Sequence, residues 1–188
     1  MHLIGTLPIE TNRLYLRRAD KGDAWFMFLN WCSKPHVTRY LTWKAHPSVD
    51  ETQRILDIWL NEYEKETTFR WVIVWKENQQ PIGMIDVVKL SLENETATIG
   101  YVLSDDYWCQ GIMTEALIAV ESYLFERVHV HRIVATHDVA NVASGRVMEK
   151  AGLRYEGLLK RAFRNNEDQY IDLVTRAILK EEYLEGKR

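Results

Sequence analysis

The stretch YWCQGIMTEALIAV, residues 107–120, places a lone glycine, Gly111, just ahead of a strongly apolar helical pattern. Stable helix starts favour Ser, Thr, Asp or Asn, whose side-chain oxygens satisfy the orphan amides of the first turn. Residues 107–111 offer no convincing cap of that kind, so the amides near Gly111, Ile112, Met113 and Thr114 lack an internal partner. Such amides sit at the positive end of the helix dipole and can hold a phosphate, and a missing Cβ lets the anion approach the backbone closely. The plain alternative is that Gly111 merely turns the chain. Two familiar phosphate loops are excluded, because no Gly-Lys-Ser/Thr follows and the spaced glycines of a dinucleotide fingerprint are absent. Cys32 and Cys109 stand at no metal-ligand spacing, so neither a zinc site nor a disulfide framework is expected.

The surrounding chain bounds what such a site can serve. With 188 residues, 46% hydrophobic and 27% charged, it has ordinary globular composition and enough length for one substantial core. A formal charge of −3 leaves no basic footprint for nucleic acid, although a local acidic patch could attract a cationic substrate. The start MHLIGTLPIE has no basic segment followed by a long apolar one, and no apolar run approaches a membrane span. A soluble protein of the reducing cytoplasm is expected. Of seven tryptophans, Trp25, Trp31, Trp43 and Trp59 fall in the first third, where they either line a cleft or anchor the core.

No repeat, low-complexity tract or Gly/Ser linker interrupts the chain, which predicts a single domain over 1–188. LYLRRA (14–19) alternates like a half-buried strand; from Asp20 a helical stretch puts Ala24, Trp25, Phe28 and Leu29 on one face. A second helix follows Pro47 and runs to about Lys65, with Ser48 and Glu51 as a capping box and Thr52, Ile55, Trp59 and Tyr63 at helical spacing. Segments 70–77, 82–90 and 96–104 read as an antiparallel meander. Then come a helix over 112–127, a strand over 131–137, a helix over 141–151, and strands near 153–163 and 168–180. The fold class is α/β or α+β, with a mixed sheet.

On TNRLYLR, VTRYLTW, IGYVL, YWCQGIMTEAL and NVASGRVMEKAGLRYEG, in that order, the sequence resembles the GNAT superfamily of acetyl-CoA-dependent N-acetyltransferases. It is most similar to the branch that holds the ribosomal-protein N-terminal (alanine or serine) acetyltransferases. The family's pyrophosphate loop reads Q/R-x-x-G-x-G/A. Here Trp108 stands at its first position and Met113 at its last, as this branch often permits, while Cys109 replaces the branch's usual Gly. The resemblance implies a mostly antiparallel central sheet with a splayed pair of strands and flanking helices. It also implies acetyl-CoA as co-substrate and an amine acceptor, and leaves a homodimer open.

By resemblance, acetyl-CoA would be held by Trp108, Gln110, Gly111, Ile112, Met113 and Thr114 at the pyrophosphate. The backbone of Val102, Leu103 and Ser104 would take the pantetheine arm as an added strand, with Asn141 and Ser144 beside it. Asn141 is equally a plain helix N-cap. Many relatives carry a Tyr four residues beyond Ser144 as general acid; here that place is Met148, which cannot donate a proton. Ser144, directly or through water, is therefore the leading candidate to assist the leaving thiolate, with an exposed helix serine as the bland reading. Asp86 and His137 rank equally as general base, each more often structural than catalytic. Thr98 stands where many relatives have a Glu, which counts against a carboxylate there. Cys109 reads as a loop residue and Glu115 as a first-turn acid favoured by the dipole. The favoured acceptor is a protein N-terminus. A polyamine or antibiotic amine is the runner-up, and a non-catalytic acyl-CoA-binding regulatory module is the reading of another class.

Overall fold

A computed structural model of the chain describes residues 1–186; positions 187–188, the end of the expected unit, lie outside the described residues. The strands are β1 (Ile9–Glu10), β2 (Leu14–Arg17), β3 (Arg70–Trp75), β4 (Gln80–Ser91), β5 (Thr96–Leu103), β6 (Arg132–Asp138), β7 (Arg154–Arg164) and β8 (Tyr170–Leu179). The α-helices are α1 (Ala24–Met27), α2 (Pro35–Thr38), α3 (Val49–Glu62), α4 (Ile112–Tyr123), α5 (Val142–Lys150) and α6 (Lys180–Gly186). All strands join one eight-stranded sheet in the order β1-β2-β3-β4-β5-β6-β8-β7. Each junction is antiparallel except β5 with β6, which is parallel, so the sheet is mixed and mostly antiparallel as expected.

Strand alternation divides the core between the two sheet faces. Trp71, Ile73, Ile85, Ile99 and Ile133 pack with Ile112, Ala116, Leu117 and Val120 of α4. Val72, Val74, Met84 and Val102 pack on the other face with Ala24, Met27, Trp31 and Leu56. Because both faces are covered, β3 is buried through most of its length.

The helix starts at Ser48 as expected, its hydroxyl accepting from the Glu51 amide, but the capping box is only half formed because the Glu51 carboxylate holds Arg54, and the helix ends at Glu62 rather than near Lys65. The predicted face in the first helical segment is corrected. Trp25 and Leu29 are exposed, and the buried positions are Ala24, Met27, Trp31 and Cys32. The cause is a changing helical period: Lys21–Asp23 is a 3-10 turn, Ala24–Met27 is α, and Phe28–Cys32 widens to π. A similar widening at Leu124–Val128 ends the helix begun at Ile112, and His129 closes it in the left-handed region at φ 62°.

One feature positions the site. β5 pairs with β6 only from Thr96 to Ile99, while it continues against β4 to Leu103. β6 itself stays paired to β8 as far as Asp138. The two parallel strands therefore part after Ile99, leaving an open seam in the middle of the sheet.

Candidate active site

The loop after β5 turns through Asp105–Tyr107 and reaches α4 with Gly111 as its N-cap, at φ 73° and without any side-chain cap. Among the described residues, no hydrogen-bond partner meets the amides of Gln110, Gly111, Ile112, Met113 or Thr114. Ile112 and Met113 bury their side chains in the core, so only their backbones face outward. Cys109, which replaces the resemblance's Gly, keeps the left-handed backbone that a glycine would take, at φ 59°. That geometry costs a non-glycine residue about 1–2 kcal/mol. A left-handed residue followed by right-handed helical ones turns successive N–H groups to one side, the geometry of an anion nest, and Gly111 followed by Ile112 is such a pair.

Arg13 adds a cation that the sequence reading did not single out, although it lies within the TNRLYLR segment. Its guanidinium donates to the Gln110 carbonyl at 3.0 Å and to Glu115 Oε2 at 2.7 Å. Its Nη2 lies 3.8 Å from where a Cβ on Gly111 would stand. Glu115 is thus the anchor of this corner, also accepting from the Thr11 hydroxyl at 2.6 Å and the Arg13 amide at 2.9 Å.

At the seam, the Ser104 amide donates to the Ile82 carbonyl. In an antiparallel ladder, that register turns Gly100, Val102 and Ser104 toward β4 and leaves the polar groups of Tyr101 and Leu103 facing the gap. Of the three expected backbone positions, Leu103 therefore faces the gap, while Val102 and Ser104 face β4. The Leu103 carbonyl already accepts from the Trp108 indole at 2.9 Å, so Trp108 closes the upper end of the seam. The amides of Tyr101 and Leu103 and the carbonyl of Tyr101 remain along it. Gln110 is exposed and its side-chain amide holds the Asp106 carbonyl.

Helix α5 overhangs this gap. Asn141 caps it, its Oδ1 accepting from the Ser144 amide at 3.2 Å. Ser144 Oγ lies 2.8 Å from the Tyr101 hydroxyl, which also reaches the Ser144 carbonyl at 3.1 Å. Burial pushes the Tyr101 phenol up to about 12, with the hydrogen bond to Ser144 opposing only in part. It therefore stays a proton donor. Met148 is buried at 1% exposure, in the core and out of the chemistry.

The two expected bases lie on opposite faces of the sheet. His137 shares the α4–α5 face, where its Nε2 is sealed beneath α5 without a partner. A Cβ on Gly145 would stand 2.7 Å from that nitrogen, so only glycine lets the helix lie on the imidazole. Asp86 lies on the face of α1 and α3, tied to Arg70 at 3.2 Å, and Arg70 also holds Glu62 at 2.6 Å. Burial raises the Asp86 carboxyl above its ordinary value, against the pull of Arg70.

On that face the segment 20–66 meets the rest of the chain. Asp105 takes Lys34 and His36, the latter at 2.8 Å. The turn between β7 and β8 crosses over as well, where the Asn166 side-chain amide donates to the carbonyls of Thr38 and Trp43, both at 3.0 Å. These contacts tie the segment 20–66 to the loop after β5 and to the β7–β8 turn. Among the described residues there is no metal-ligand cluster and no helix long and apolar enough to cross a membrane.

An open sheet seam with a capped helix beside it and a helix start with unmet amides suit an acyltransferase scaffold, and the comparisons agree. Residues 13–154 match the acetyltransferase (GNAT) domain, and the chain belongs to that family. It is similar to the N-acetyltransferase YoaA of Bacillus subtilis, at 30% identity over 162 residues, covering 86% of this chain and 91% of that one. The ribosomal protein uS5-alanine N-acetyltransferase of Escherichia coli is 26% identical over 162 residues, covering 81% of this chain and 80% of that one. A solved structure of RimL, a ribosomal α-N-protein acetyltransferase in complex with coenzyme A, superposes with TM-score 0.82 at 24% identity, covering 92% of this chain and 98% of that one.

Proposed function

We propose that this enzyme moves the acetyl group of acetyl-CoA to a primary amine, and that its favoured acceptor is the N-terminal α-amine of a protein such as a ribosomal protein. The observation that carries the cofactor half is the line from the unmatched amides at Gln110–Thr114 to the gap between β5 and β6. One end suits a pyrophosphate; the other suits a chain of amides added as a strand. Trp108, Asn141 and Ser144 lie along that line, and Arg13 supplies a positive charge at its phosphate end. Main-chain donors at Tyr101 or Leu103 would polarise the thioester oxygen as negative charge develops there.

The acceptor half rests on the acid–base groups. Asp86 is committed to Arg70, and His137 is sealed under α5. A chain-terminal amine titrates near 7.7–8.0, against about 10.4 for lysine, so a water relay suffices to neutralise it. The uS5-alanine acetyltransferase among the relatives supports the same acceptor class. A cytoplasmic setting fits the two free cysteines, Cys32 and Cys109.

Release of free thiol from acetyl-CoA, measured across peptides with free N-termini, polyamines and amine antibiotics, tests the reading. Turnover with peptides alone is the expected result. Turnover confined to small amines moves the enzyme to the runner-up class. Binding without thiol release from any amine leaves a regulatory module.

A further inference from the structure

We propose that Tyr101 is a positioning residue for the leaving group, holding the Ser144 hydroxyl ready to receive charge on the departing sulfur. The inference rests on the acetyl-transfer reading above and extends it to a residue on a different element. Tyr101 belongs to β5, at the first position beyond the parting from β6 whose backbone faces the gap. Its side chain lies on the α5 face and meets Ser144 in the first turn of α5, 43 positions away in sequence.

The phenol has one proton and two acceptors within reach, the Ser144 carbonyl at 3.1 Å and Ser144 Oγ at 2.8 Å. With the phenol proton on the carbonyl, the serine proton is spent on the phenol oxygen. With the phenol proton on Oγ, the serine proton is free to turn into the gap. Negative charge on a sulfur in the gap favours the second arrangement and does little for it before the bond breaks. An interaction that strengthens only as charge develops raises kcat and leaves ground-state binding alone. The adjacent Asn141 cap fixes the Ser144 backbone, so the choice between the two arrangements falls to hydroxyl rotation alone.

The balance is simple. The carbon–sulfur bond breaks as the carbon–nitrogen bond forms, and the sulfur leaves as a thiolate accepting from the Ser144 hydroxyl. The proton lost by the acceptor nitrogen reaches solvent, and a solvent proton converts the thiolate to free thiol. Tyr101 and Ser144 both keep their own protons throughout.

The test compares Tyr101→Phe, Ser144→Ala and the double variant. Expected are a drop in kcat of about tenfold or more for each single variant: Ser144→Ala loses the hydrogen bond to the charged sulfur, and Tyr101→Phe loses the donor that turns the Ser144 proton into the gap. The KM for acetyl-CoA and the ligand-induced rise in melting temperature stay at the parent's values. The double variant falls no further than the lower single variant, since the pair acts as a unit. An active parent whose Tyr101→Phe variant keeps its kcat, or whose two losses multiply, overturns the relay alone. A parent that binds acetyl-CoA but releases no thiol with any amine overturns the acetyl-transfer reading and the relay with it. A variant that loses kcat and the acetyl-CoA melting shift together shows Tyr101 to be structural, which also overturns the proposal.

Discussion

Arg13 Nε lies 2.7 Å from Glu115 Oε2, joining the bend just before β2 to the first turn of α4 across 102 positions of sequence. The ion pair moors the helix start whose amides stay open. It also explains why a glutamate occurs there: the dipole favours an acid in the first turn, and Arg13 fixes where that acid points.

The same pair sets an acid limit. Burial pushes the Glu115 carboxyl up, but hydrogen bonds from Thr11 and from the Arg13 amide and guanidinium outweigh it and hold the group below its ordinary 4.5. A depressed folded-state value contributes stability above the unfolded value, which is lost as pH falls through the folded one. Melting temperature is expected to fall from about pH 5 downward, and Glu115→Gln to flatten part of that fall. Arg13→Ala at neutral pH should cost about 1 kcal/mol for a half-exposed pair, or about 2–4 °C. A parent and a Glu115→Gln variant with parallel acid limbs would contradict this account.

At the loop, Gly111→Val should weaken acetyl-CoA binding at least tenfold. It should also lower stability by about 1–2 kcal/mol, because a β-branched residue resists a left-handed backbone. Cys109→Gly should leave affinity unchanged and shift stability by less than about 1 kcal/mol, relief of strain being offset by a freer unfolded chain. Titration calorimetry and melting curves on the same samples separate the effects. Intact affinity in Gly111→Val would remove the phosphate nest.

Gly145→Ala should destabilise by about 1–3 kcal/mol, as expected of overpacking. Its Cβ would stand 2.7 Å from His137 Nε2 and 2.9 Å from Cε1. Replacing the imidazole by His137→Ala should remove most of that cost, giving a strongly non-additive cycle in denaturant melts. Additive losses would mean that the helix does not rest on the ring.

Asn166→Ala should raise the KM for the acceptor severalfold while acetyl-CoA binds as before. Asn166 pins the β7–β8 turn to Thr38 and Trp43, contacts that the proposed acetyl-transfer reading assigns to the acceptor side. Steady-state kinetics in both substrates check it; a change confined to acetyl-CoA would place the turn on the wrong side of the seam.

The regular elements were legible because their periods are local. The meander, the helix after Gly111 and the closing strands fall within a few residues of where alternation and helical spacing place them. The first helical segment was not legible, since one face cannot be read at a single period through 3-10, α and π turns. The unmet amides at Gly111 were visible as a missing cap. Tyr101 was hidden for another reason. A tyrosine in a strand reads as a core aromatic, and its partner comes from a helix that only the fold brings near. The opposing faces of Asp86 and His137 were likewise out of reach, because alternation within each strand says nothing about how separate strands register.

The parting of β5 from β6 also bears on how the protein behaves between turnovers. The amides of Tyr101 and Leu103 have no strand partner along the seam. Deuterium should enter there quickly, in the midst of a slowly exchanging sheet, and slow sharply once a pantetheine arm is in place. On the proposed reading the substrate acts for part of each cycle as a borrowed strand, and the resting enzyme is the form most exposed to proteolysis and to unwanted strand pairing.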